Sequence, residues 1–413
     1  YGVAWSIRHT GVPPVDIFFY GHPDRDRLSY YYFYHLMVAA LDLLCCATSS
    51  IYLASVIMVL TTAIAFSLLC YWLARSVFGR ASVALWALFC VIFVGGLDVI
   101  PMLPRNWEIL ARTMPEALNS WLAYFPMDHV DNWAPAPYLR LNTLYVAYIW
   151  VPQHVAGLVL FLLGLYWLRE VSQQWRLLFV TPFLLLSLLG HSVWIAGVAV
   201  LCLALYAAFE LVRLWRAQDR QAVRRRATAY LSVGLSFVLI SLPLMREYLS
   251  PAAPRSGIVF EIPLTREWGW LSPFKTYFSD TSLTRLLDLL LHYGWELGVL
   301  LVGGLVGLYW FRKRRSYEPL QPFFWLTLGV GFPMITFFAS GRHWKTEGFI
   351  LNNDLGLRAI MPAQVVLALF TGYFLAHWWT VKMRWWLKRV LSGMLLGLVG
   401  LGVLAFVWEA CAM

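Results

Sequence analysis

Runs of about 20 apolar residues recur along almost the whole chain, each long enough to cross a hydrocarbon core of about 30 Å. The clearest cover 51–74, 81–100, 150–168, 177–190, 191–212, 228–248, 290–311, 320–339, 357–378 and 390–410. A chain built this way satisfies its backbone inside the bilayer by folding as helices or as a closed barrel, and runs of this length select helices. Only 13% of its 413 residues are charged, against about 25% in soluble domains. The sequence therefore predicts an all-α, polytopic transmembrane helix bundle of about ten spans.

The net charge of +10 does not point to nucleic acid, because the basic residues sit in short connections between apolar runs. Arg75/Arg80, Arg169/Arg176, Arg213 to Arg226, Arg312 to Arg315 and Lys382 to Arg389 follow the positive-inside pattern and are assigned to the cytoplasmic side. Ten spans place all of them inside, and then 101–149, 249–289 and 340–356 form outer loops. The six cysteines fall in apolar runs without metal-ligand spacing and read as small core residues.

The chain divides at about residue 50. Residues 51–413 form the bundle with its outer loops, and 1–50 form an outer loop holding an interfacial helix at 28–46. That helix carries tyrosines, His35 and Asp42, which suit an interface better than a bilayer centre. The sequence starts at Tyr1 with what reads as a surface helix, so a further span is expected upstream. The 249–289 loop, with Trp268, Trp270 and Phe274, reads as an interfacial hairpin or helix.

Four groups of outer residues carry the candidate chemistry. Asp16, His22, Asp24, Asp26 and His35 could supply a general base for a hydroxyl acceptor or hold a divalent cation; a solvated loop is the plain alternative. Asp98, after Gly95-Gly96-Leu97, stands at the outer end of a span, where a carboxylate tends to face a wet cavity. The two glycines would permit close backbone approach. Gln153 and His154 open a span just after Trp150, either to bond a sugar or phosphate or only to cap a helix. Asn353, Asp354 and Arg358, with Arg342 upstream, place an arginine at the outer mouth of a span. There it meets a lipid phosphate, Asp354 at i,i+4, or both. No mid-membrane line of buried charges is legible, which argues against an ion-coupled transporter.

Pro13-Pro14-Val15-Asp16, then Tyr30-Tyr31-Tyr32-Phe33-Tyr34-His35, Trp150 to His154 and Asn353-Asp354 to Arg358 resemble motifs of the GT-C superfamily of integral-membrane glycosyltransferases. The likeness is to bacterial and archaeal members of the family named for its "YYY" motif. Tyr34 replaces that motif's glycine. The resemblance implies an enzyme of a bacterial or archaeal plasma membrane, working on the outer face. It would move a sugar from a polyprenyl-phosphate donor to an acceptor by inverting displacement. It also implies a catalytic group of Asp16, Asp98, His35 and His154. Substrate contacts would come from Tyr30, Tyr31, Tyr32, Gln153, Arg342, Asn353, Asp354 and Arg358, with Arg358 on the phosphate. Family members carry their principal acid just after the first span, upstream of Tyr1, so Asp16 can instead be a supporting residue. A lipid-linked oligosaccharide flippase or polymerase, and a non-catalytic membrane subunit, are the rival readings.

Overall fold

The computed structural model describes residues 2–12, 32–45, 50–97, 144, 147, 151–170, 174–248, 256–260, 281–314, 318–344, 348–352 and 358–412. Two short helices come first, α1 (Gly2–Thr10) and α2 (Phe33–Leu44). The body follows with α3 (Ile51–Phe78), α4 (Ala81–Phe93), α5 (Pro152–Glu170), α6 (Gln174–His191), α7 (Val193–Arg216) and α8 (Arg220–Tyr248). Next come β1 (Ser256–Phe260), α9 (Ser282–Leu297), α10 (Val299–Arg314), α11 (Gln321–Phe337), β2 (Phe338–Trp344), β3 (Gly348–Asn352), α12 (Met361–Trp378) and α13 (Trp385–Ala412).

Four of these helices, in α3, α7, α8 and α13, are long and apolar enough to cross a membrane, and the bent pair α9–α10 makes a fifth if it is one span. Their outward sides carry leucines, tryptophans and valines that a water-soluble protein would bury, such as Leu60, Trp72, Leu231 and Val302.

The bundle is organised around α12, whose residues from Met361 to Leu375 are all buried. It packs against α10 and α4. Close approach there depends on small residues, as is usual between helices in lipid. A methyl group on Gly307 of α10 would sit 2.0 Å from the Phe370 carbonyl oxygen. Thr371 bonds the Leu367 carbonyl at 2.8 Å and reaches Leu300 of α10 at 3.3 Å. Below it, Phe78, Phe311, Phe324 and Phe370 stack edge to face, with ring centres 5.1–5.6 Å apart in each pair.

The two ends of α12 orient everything else. Near its C-terminus, His377 lies within electrostatic reach of Arg80 and Arg314. Near its N-terminus, Arg358 lies within reach of His154, at the start of α5. Arg80 and Arg314 thus share one end of the bundle, and Arg358 and His154 share the other.

Two findings revise the expected architecture. The run 290–311 is not one straight helix: α9 and α10 meet at 90°, at Gly298 with φ +52°, a backbone region that disfavours other residues. The bundle is not purely helical either. β1, β2 and β3 form an antiparallel sheet in that order, with Ser256 opposite Arg342 and Arg342 opposite Ile350. It joins two of the three outer connections, whose backbone groups thereby satisfy one another. The helix expected at 28–46 has its described part as α2, 12 residues long. At 1.5 Å per residue that is about 18 Å, short of a crossing. Its buried Asp42 pairs with Arg8 of α1.

Candidate functional site

The site grows from the first turn of α5. Pro152 opens that helix, where its missing N–H is no loss. The turn closes with the His154 amide donating to the Val151 carbonyl at 2.8 Å. Gln153 is 4% exposed and His154 is fully buried. His154 Nδ1 lies 2.8 Å from Oγ of the buried Ser192. Ser192 caps α7, its Oγ accepting the Ile195 amide at 3.3 Å. The serine can still donate its own proton to His154, an arrangement that leaves the imidazole proton on Nε2.

His191, one residue before that cap, ends α6. Its Nδ1 donates to the Ser187 carbonyl at 2.7 Å, so in the neutral ring Nε2 is the acceptor. Phe33 of α2 meets the His191 ring edge-on at 6.1 Å. His35 follows two residues later and is within electrostatic reach of His191; burial, then neighbouring positive charge, pushes it down to about 4. His154 has Arg358, His35 and His191 as its charged neighbours. Three imidazoles and one guanidinium thus converge under α2, from four separate elements.

A guanidinium set beside three imidazoles makes a cluster of hydrogen-bond donors suited to an anion. A phosphate suits the set: Arg358 presents a planar fork, and a neutral imidazole Nε2–H is a further donor.

The same end holds a group that sequence reading missed. Asp288, His292 and Glu296 follow one another at i, i+4 and i+8 on α9 and are 6%, 1% and 7% exposed. The leucines of that helix face outward, with Leu283, Leu287 and Leu290 all exposed. α9 is therefore amphipathic with its charged side turned into the protein. Between these residues, the Tyr293 hydroxyl bonds Thr336 Oγ1 at 2.6 Å, tying α9 to the C-terminal end of α11. The segment before Asp98 docks on α9 as well. The Leu97 amide donates to the Trp295 carbonyl at 2.6 Å, and a methyl on Gly96 would fall 2.4 Å from the Glu296 carbonyl oxygen. The close approach expected of these glycines is made here. These buried charges sit at the end of the bundle and not along a mid-membrane line; the i, i+4, i+8 spacing was their signal, hidden within a leucine-rich run.

Of the residues singled out by sequence, His35, His154 and Arg358 come together, and Gln153 is buried in the same turn. Tyr32 is buried at the N-cap of α2. Arg342 lies in β2, opposite Ser256 and Ile350. Asp16, Tyr30, Tyr31, Asp98, Asn353 and Asp354 lie outside the described residues. Among the described residues, no three His, Cys, Asp or Glu side chains are grouped to hold a metal ion.

Compared with protein-family models, curated proteins and solved structures, the chain matches none.

Proposed function

We propose that this protein is an integral-membrane glycosyltransferase of the GT-C type, moving a sugar from a polyprenyl-phosphate donor to an acceptor at the outer membrane face. One observation carries the reading: the convergence of buried His154 and His191 with half-buried His35 and Arg358, at the end of the bundle opposite the exposed basic connections. Ten spans, with 101–149, 249–289 and 340–356 outside, put that convergence where a lipid-borne donor presents its phosphate.

In this scheme the acceptor hydroxyl oxygen attacks the anomeric carbon and the bond from that carbon to the phosphate oxygen breaks. The bonding pair leaves with the polyprenyl phosphate, and the hydroxyl proton passes to a carboxylate. Arg358 and the imidazoles stabilise charge on the departing phosphate, a large contribution where water is excluded. Asp16 and Asp98 are the carboxylates proposed for the acceptor.

The test is transfer itself. Purified protein is incubated with radiolabelled polyprenyl-phosphate hexoses and a membrane extract as acceptor source. Label should move with wild type, and transfer should collapse in Arg358→Ala and in Asp16→Asn or Asp98→Asn. Tight donor binding with no turnover in wild type would refute the transferase and favour a flippase or carrier of the same lipid.

A further inference from the structure

A second feature lies deeper in the bundle, between α5, α6, α7 and α11. A part-open cleft of about 440 Å³, mouth included, is lined by leucines and phenylalanines such as Phe161, Leu165, Leu185 and Phe323. Almost none of its wall is polar, so water has little to bind there. Two polar atoms nonetheless belong to residues lining it. Trp167 Nε1 and Thr181 Oγ1 are buried and have no hydrogen-bond partner. Thr181 is only 7% exposed. A helical threonine ordinarily turns its hydroxyl back to the carbonyl four residues earlier, as Thr327 and Thr371 do in this bundle. Thr181 does not, and an indole N–H can only donate. Leaving buried donors unmade is costly.

The depth of these two groups selects their partner. Trp167 lies three residues from the inner end of α5, and Thr181 seven residues into α6 from its inner end. At 1.5 Å per residue these are about 5 and about 10 Å from the helix ends, close to the ends of the apolar stretches Pro152–Leu168 and Phe179–His191, where a bilayer around them would pass from headgroup to hydrocarbon. Tryptophan is enriched at that level because its ring is apolar and its N–H needs an acceptor. The cleft continues from there along α6 to Leu188, a further seven residues. Pro182, beside Thr181, removes one rung of the α6 hydrogen-bond ladder and so permits a bend at the cleft.

We propose that this cleft is a binding site for one ester-linked acyl chain of an inner-leaflet glycerolipid. The chain lies against the leucines, and its ester carbonyl accepts from Trp167 Nε1 and Thr181 Oγ1. An isoprenoid tail matches the walls but offers no acceptor at this depth, and a phospholipid with ether-linked chains has none of comparable strength. The site is separate from the imidazole group and does not depend on the transferase reading.

The experiment compares two probes on the purified protein. Ester-linked and ether-linked dioleoyl phosphatidylglycerol are supplied in turn, and retained lipid is counted by native mass spectrometry. Wild type should hold the ester lipid about tenfold more tightly, the expectation for two net hydrogen bonds. Thr181→Val with Trp167→Phe keeps shape and should abolish the preference, while Leu185→Trp, which fills the cleft, should displace both lipids. Equal retention of the two probes by wild type would overturn the proposal, as would a preference that survives the double substitution. Displacement of the ester lipid by polyprenyl phosphate would overturn it too, by giving the cleft to an isoprenoid.

Discussion

The two ends of the bundle use the same basic side chains in opposite ways. At the end where α12 finishes, Arg75, Arg80, Arg213, Arg312 and Arg314 are exposed, and the positive-inside trend is sufficient reason for them. At the opposite end His154 is fully buried, His191 nearly so, and Arg358 is half-buried beside them. Solvated cations cost a fold almost nothing; enclosed ones are retained against a free-energy penalty. The contrast teaches that abundance of charge marks orientation here, whereas enclosure of charge marks chemistry.

Substitutions can break that contrast. Arg358→Ala should lower sugar transfer by about 10²–10³-fold, the usual loss for a group stabilising a leaving charge. If Arg314→Ala at the other end lowers it equally, the two ends do not differ in the way described.

A pH series sharpens it. His35 is held below its ordinary value of 6.5, at about 4, so the folded state binds fewer protons than the unfolded state between those limits. Its stability contribution is intact above about pH 6.5 and is lost as pH falls toward 4, by up to about 3 kcal/mol. Thermal melts between pH 7 and pH 4 should show this slope, and His35→Phe should flatten it.

Ser192→Ala removes both the cap of α7 and the partner of His154, and should cost about 1 kcal/mol in a thermal melt. Transfer should fall more than twofold if the serine orients the imidazole, whereas a purely structural cap leaves transfer unchanged in the folded fraction. Smallest of all, Arg314→Gln should move the melt by less than about 0.5 kcal/mol.

The candidate site was partly legible because its members stand at helix starts and interfaces. His154 two residues after Pro152, Arg358 against the charge trend and His35 in a tyrosine run each violate what a plain span requires. His191 falls at the junction of the apolar runs 177–190 and 191–212, and nothing in Gly190-His191-Ser192 announces that α2 will lie over it. The charged face of α9 was missed because apolar content over 290–311 outweighed three residues spaced four apart. The sheet was missed for a different reason: β1 pairs with β2 from another connection, and pairing between distant segments leaves little local trace. Membrane class and helical architecture were plain, because apolar runs of about 20 residues satisfy their backbone in lipid as helices.

The contact between Gly307 and Phe370 has a consequence for how such a chain changes over generations. Outward leucines can be exchanged for other apolar residues with little effect, so most of the surface is free to drift. A side chain of any size at Gly307 would push two helices apart, so that position is closed. Descendants of this fold should therefore lose overall likeness quickly while keeping a few small residues along α10 and α12 as their shared signature.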